Sequence, residues 1–177
     1  AAGDKKFQRV VQGGGIALPV RSGDLVIASG AVRQDGTSRE YAPPEFPAVA
    51  DTDVLFALRG AARSLGLRAH CGVVQSKDSF YGQHSPASMA TAGELREKWE
   101  AWKALGVLCS EMEAATLFTV AATRHVRAGA VFHVIWNQER ALAGLDTDRE
   151  ESHDTSSAIR TAVRAIRLLI EEDRREK

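Results

Sequence analysis

No apolar run in this chain approaches the roughly 20 residues that cross a bilayer as a helix. The N-terminus also shows no apolar core of a secretory leader. Together these absences lead to the expectation of a cytoplasmic protein with no membrane partner. Cysteine is scarce: Cys71 and Cys109 are the two thiols, and neither belongs to a CxxC or a His/Cys cluster. That argues against a metal site and for buried free thiols in a reducing compartment. Neither sign of charge is in excess, because 23 Lys plus Arg balance 23 Asp plus Glu. Nucleic acid is therefore not an expected partner, although a local cationic site for a small anion stays open. Internal repeats and low-complexity segments are absent as well. What is present is an ordinary globular composition, 44% hydrophobic and 26% charged over 177 residues. That is enough for one domain, 1–177, with a workable core.

Residues 24–29, 69–75 and 130–136 read as strands, being rich in β-branched or apolar residues and bounded by turn formers. The last is apolar nearly throughout, as in a sheet covered on both faces. Between them, helical periodicity runs over 50–65, 92–105, 111–126 and 154–171. The last of these carries Ile159, Val163, Ile166, Leu169 and Ile170 on one side, with mixed charge opposite. Alternation of the two kinds of element indicates an α/β domain. Three stretches read as loops: Gln12-Gly13-Gly14-Gly15, a permissive turn near Arg9; the proline-rich 42–47; and 80–86, which mixes aromatic, amide and imidazole groups. Loops leaving strand ends are where α/β proteins hold ligands.

The stretch Glu111-Met112-Glu113-Ala114-Ala115-Thr116 sets two carboxylates at the mouth of an apolar helix. An unpaired buried charge costs several kcal/mol, so such groups are paired, exposed in a cleft, or used. One use is to accept hydrogen bonds from neighbouring hydroxyls, as in a ribose diol. The alternative is purely local: Ser110 caps the helix and Glu113 closes a capping box. His133, inside an apolar strand, reads as a hydrogen-bonded core residue.

Taken in order, Arg9, Gly14, Gly23-Asp24, 33–38, Phe46-Pro47-Ala48-Val49-Ala50-Asp51, Asp78-Ser79-Phe80-Tyr81-Gly82-Gln83, Glu111-Met112-Glu113-Ala114-Ala115 and Val134-Ile135-Trp136-Asn137 resemble the nucleoside phosphorylase family. The Phe-Pro-Ala-Val-Ala-Asp block leans toward its uridine phosphorylase branch. The resemblance implies a three-layer α/β fold with a central mixed sheet flanked by helices. It also implies phosphorolysis, in which phosphate attacks the anomeric carbon of a nucleoside and the base departs. On that footing Arg9, Gln12 and Gly13 would meet phosphate, and Glu111, Met112 and Glu113 the ribose. Phe80 would stack on the base, with Gln83, His84, Asn137 and Gln138 around its edge. Arg9 and Glu113 are the residues expected to carry catalysis. The resemblance further implies a dimer-based homo-oligomer such as a hexamer, and no metal or organic cofactor, with inorganic phosphate as co-substrate.

The chain also departs from the family pattern. No counterpart of its N-terminal Gly-Asp-Pro segment is found, and the expectation is a single nucleoside phosphorylase-like domain corresponding to the C-terminal two-thirds of a family member. The threonine usual in the turn after Arg9 is replaced by Val11-Gln12-Gly13-Gly14, and His84-Ser85-Pro86 stands where relatives place an arginine after Gln83. The base and ribose half of the site is thus well represented and the phosphate half is thin. These departures keep two alternatives in view: a nucleosidase using water, and a non-catalytic nucleoside-binding relative. They also lead to the expectation that the chain alone associates through exposed sheet surface or is poorly active.

Overall fold

Residues 5–146 and 151–175 are described in a computed structural model of the chain. Its strands are β1 (Lys6–Gly15), β2 (Leu25–Gln34), β3 (Ala48–Val49), β4 (Ala69–Lys77), β5 (Cys109–Glu111) and β6 (Arg127–Asn137). They form one sheet in the order β3-β2-β4-β5-β1-β6. The sheet is mixed: β1 with β6, β2 with β4 and β4 with β5 are parallel, while β1 with β5 and β2 with β3 are antiparallel. Leu25 to Ile27 of β2 also pair antiparallel with β6, so the sheet curls back on itself.

Seven α-helices accompany the strands among the described residues: α1 (Thr37–Tyr41), α2 (Thr52–Ser64), α3 (Tyr81–His84), α4 (Ala92–Ala104), α5 (Ala114–Thr123), α6 (Gln138–Leu142) and α7 (Ser156–Arg175). The period-two alternation of β2 and β6 places them in layers. Leu25, Ile27 and Val131 face α2 and α7, against Val54, Leu58, Ala165 and Leu169. Val26, Ala28, Phe132 and Val134 face the opposite way, against Ala114, Ala115 and Phe118 of α5. Both faces of the central strands are covered, which is why their sequences are apolar without alternation. Gly129 lets α2 approach, since a Cβ there would stand 2.4 Å from Val54 Cγ1. Asp51 starts α2 by accepting from the Val54 N–H at 3.1 Å, an ordinary N-cap. Arg33 pins the proline-rich stretch by donating to the Pro43 and Ala42 carbonyls at 2.6 and 2.8 Å.

Several expectations change. The Gln12–Gly15 turn is instead the end of β1, in register with β6 except for a bulge between Gly13 and Gly14. Crowding rather than a turn calls for glycine at position 15, where a Cβ would lie 2.7 Å from Asn137 Nδ2. The helix expected over 111–126 spans only Ala114–Thr123, because Ser110 and Glu111 belong to β5. The 80–86 loop contains the short α3. Cys109 is buried as expected, but Cys71 is exposed. Its half of β4 pairs with β2 alone, as β5 reaches only Gln75 and Ser76.

On α7, Ile159, Val163, Ile166 and Ile170 are 41–50% exposed, while Ala158, Ala162, Ala165 and Leu169 turn inward. Small residues allow this helix to sit close to α2, and apolar periodicity could not say which of two adjoining stripes faces the core. His133 is buried, with Nε2 2.8 Å from the Ser152 carbonyl oxygen, as its place in an apolar strand suggested. None of the described helices is long and apolar enough to cross a membrane.

Candidate active site

The C-terminal ends of β4, β5 and β6 and of β1 converge because Gln75 and Ser76 pair with Ser110 and Glu111, and Gly14 pairs with Ser110. This places the two carboxylates of the Glu-Met-Glu stretch in different environments. Glu111 is buried, and its carboxylate is fully engaged. Its Oε1 accepts from Ser76 Oγ, and its Oε2 accepts from the Glu113 and Ala114 N–H groups at 2.7 and 2.9 Å. Ser76 Oγ in turn accepts from the Ala115 N–H at 2.8 Å. Three free N–H groups at the start of α5 are thereby satisfied by Glu111 and Ser76. The capping box is not formed: Glu113 makes no side-chain cap bond, and Ser110 Oγ accepts from Lys77 instead. Burial pushes the Glu111 carboxyl up, while the hydrogen bonds from Ser76 and the two backbone N–H groups oppose it. Glu111 therefore holds the α5 N-terminus and does not open onto a sugar site, contrary to expectation.

Glu113 is the available carboxylate. It is partly exposed, and its Oε1 lies 3.4 Å from the Arg9 guanidinium on β1. The sugar-binding and anion-binding candidates are thus in contact. Met112 beside them is also partly exposed.

A cavity of about 560 Å³ opens at the ends of β1 and β6, lined by Gly13, Gly14, Phe80, His84, Ile135, Trp136 and Gln138 among others. Phe80 is 53% exposed, an open aromatic face at the cavity wall. Its ring lies against that of His84, tilted by 34° with centroids 4.2 Å apart. Burial, and then the charge of Lys77, lower the His84 pKa. Gln12 is exposed and Gly13 buried, its Cβ position only 3.2 Å from the Ser110 carbonyl oxygen. Gln138 lines this cavity and also a second one of about 370 Å³ that contains Gln83 and Lys77.

Asn137 is not part of the pocket, contrary to expectation. It is buried, and its Nδ2 donates to the Ala17 and Val20 carbonyls at 2.9 and 2.8 Å. Its Oδ1 accepts from the Glu139 and Arg140 N–H groups at 3.0 and 3.2 Å. An amide offers two donors and one acceptor oxygen, so nothing is left for a ligand. Asn137 caps α6 and ties down the 16–20 loop.

Lys77 escaped the sequence reading. It is buried at the end of β4, where its ammonium donates to Gln83 Oε1 and Ser110 Oγ. Burial pulls its pKa from 10.5 to about 8, with Glu111 pulling the other way. The folded chain then binds fewer protons than the unfolded chain between those values, so stability gained from this group rises with pH across the window. At pH 7 the charge is a standing cost of about 3 kcal/mol. Relative to Lys77→Met, the native protein is expected to gain thermal stability from pH 8 to 10.5. A constant difference in melting temperature between the two across that range contradicts this reading. Trp136 was also missed; its Nε1–H meets no acceptor among the described residues.

A carboxylate after β5 paired with a guanidinium on β1, and a cavity walled by Phe80 and His84 at the ends of β1 and β6, are features with which an α/β protein can take a small polar ligand with a flat ring. Residues 6–171 match the Phosphorylase superfamily, and the chain belongs to that superfamily. The uridine phosphorylase of Treponema pallidum (strain Nichols) is 51% identical over 171 residues, covering 97% of this chain and 66% of that protein. The uridine phosphorylase of Escherichia coli (strain K12) is 38% identical over 173 residues, 95% of this chain and 67% of that protein. The guanosine phosphorylase of Halorubrum lacusprofundi is 34% identical over 163 residues, 92% and 63% respectively. The chain therefore spans about two thirds of the length of the curated relatives it matches.

Proposed function

We propose that this chain takes part in the phosphorolysis of uridine by inorganic phosphate, giving uracil and ribose 1-phosphate. The observation that carries the reading is the Arg9–Glu113 pair at 3.4 Å, a cation suited to phosphate in contact with a carboxylate suited to ribose hydroxyls. The uridine phosphorylases among the relatives support the choice of substrate. In this reading Glu113 accepts hydrogen bonds from the ribose hydroxyls while Arg9 holds phosphate beside the same sugar. Met112 packs against the sugar, and Phe80 offers a face to the base. A phosphate oxygen forms a bond to the anomeric carbon as the carbon–nitrogen bond breaks, and the bonding pair leaves with the base. Positioning the two reactants and stabilising charge in a transition state like an oxocarbenium ion are what the protein supplies. Gln12 and Gly13, further along β1, are the other phosphate candidates in this reading.

No cofactor is needed for this chemistry, with phosphate itself as co-substrate. We also propose a cytoplasmic homo-oligomer; the exposed isoleucine and valine stripe of α7 is apolar surface of the kind an assembly covers. Arg9→Met is expected to raise the phosphate KM about tenfold, since a charge-assisted hydrogen bond is worth roughly 1.5–3 kcal/mol, part of which solvent screens here. Uridine affinity should stay near its native value. An unchanged phosphate KM, or an equal loss for both substrates, would remove Arg9 from the phosphate role.

A further inference from the structure

Gln83 meets Lys77 through one end of its amide, and that contact fixes which end is which. An ammonium carries only donors, so the end facing it is the oxygen, Oε1. The other end, Nε2, is directed toward β1, where a Cβ on Gly14 would stand 3.9 Å away. Gly14 lines the cavity that holds Phe80 and His84. A glutamine free to rotate by half a turn would read two kinds of base edge. With oxygen and nitrogen in one arrangement it pairs with a ring N–H next to a carbonyl, the imide edge of uracil. Reversed, it pairs with an unprotonated ring nitrogen next to an amino group, the amidine edge of cytosine. Lys77 blocks the reversal, because the reversed amide would point N–H groups at an ammonium.

Lys77 is itself held. It is buried, its second bond goes to Ser110 Oγ, and Ser110 is fixed by pairing with β4 and β1. We infer that Lys77 is a positioning residue that locks the direction of the Gln83 amide, so that the pocket takes bases with an imide edge and rejects those with an amidine edge. The inference rests on the proposed role of Gln83 at the base, and it adds the residue that gives that role its polarity. One lone pair of Oε1 stays free to accept the imide N–H while Lys77 occupies the other. The cavity of about 370 Å³ beside Lys77 leaves room for a longer cation at the same place.

The test uses the purified protein and its Lys77→Met, Lys77→Gln and Lys77→Arg variants. Uracil and cytosine binding are measured by calorimetry, alongside phosphorolysis of uridine and cytidine. The native protein is expected to prefer uracil. Lys77→Met should cut the uracil-to-cytosine preference roughly tenfold, the scale of one mispaired hydrogen bond. The change should appear in affinity and KM for the two bases, with kcat for uridine little altered. Lys77→Gln, whose own amide can face either way, should lose the preference similarly and covers the case in which the methionine variant does not fold. Lys77→Arg, which has only donors, should keep most of it.

A folded Lys77→Met or Lys77→Gln protein with native preference overturns the lock and leaves the phosphorylase reading in place. Native uracil preference that depends on Lys77, but without turnover, defeats the phosphorylase reading and leaves the lock standing. A native protein that binds neither base overturns both.

Discussion

Glu113→Gln is expected to lower kcat/KM for uridine about ten- to hundredfold. The carboxylate of Glu113 is the one in the Glu-Met-Glu stretch whose oxygens are not consumed by the fold; its partner in the structure is the Arg9 guanidinium at 3.4 Å. An ionised carboxylate accepts from two hydroxyls at once. The amide of glutamine keeps one acceptor and sets N–H groups against the other hydroxyl. Losing a charge-assisted hydrogen bond costs roughly 1.5–3 kcal/mol, and each 1.36 kcal/mol is a factor of ten in rate. The fold should be indifferent, since the Glu113 side chain makes no cap bond to α5. A substrate lacking the ribose 2′-hydroxyl should feel the substitution less than uridine does. Native kcat/KM in a folded Glu113→Gln protein would place the sugar elsewhere.

Glu111→Ala should act on the other side of the same stretch and lower stability instead. Three donors lose their acceptor: Ser76 Oγ and the N–H groups of Glu113 and Ala114. Each buried donor left unsatisfied costs about 1–3 kcal/mol, so a loss of about 3 kcal/mol or more is expected. For a chain of this size that corresponds to a melting temperature lower by roughly 6–12 °C. Glu111→Gln should cost less than Glu111→Ala, because its amide oxygen can still accept from the backbone pair and only the Ser76 hydroxyl proton loses its acceptor. It should also abolish one pH dependence. The raised Glu111 carboxyl favours the folded state while protonated, and that contribution is lost as pH climbs through its folded value. A Glu111→Ala protein as stable as the native one would contradict the structural role.

How much of this was visible beforehand depends on the range of the forces involved. The apolar runs of β2 and β6 announced a sheet covered on both faces, because burying both sides leaves no polar alternation to read. The Glu-Met-Glu pair was also conspicuous, as two carboxylates beside an apolar helix demand a reason. Which of them is structural was not legible. That depends on Ser76, 35 residues away in sequence, arriving beside Glu111 through the β4–β5 pairing.

Lys77 illustrates the same limit. In Ser76-Lys77-Asp78-Ser79 a lysine reads as solvated surface, and only strand pairing shuts it in with Gln83 and Ser110. Gln12 to Gly15 misled in the opposite way. A glycine run usually signals a turn, but here it continues a strand whose neighbours crowd the Cβ positions of Gly13 and Gly15. Asn137 looked like a pocket residue because it ends the apolar run of β6; its four hydrogen bonds make it a strut. Gly13, Phe80, His84 and Gln138, named from the resemblance, do share one cavity.

The most direct test is release of uracil from uridine by the purified protein, followed with and without inorganic phosphate while the sugar product is identified. Release is expected only when phosphate is present, with one ribose 1-phosphate formed for each uracil. Release at the same rate without phosphate, with free ribose as product, would contradict phosphorolysis and make water the nucleophile.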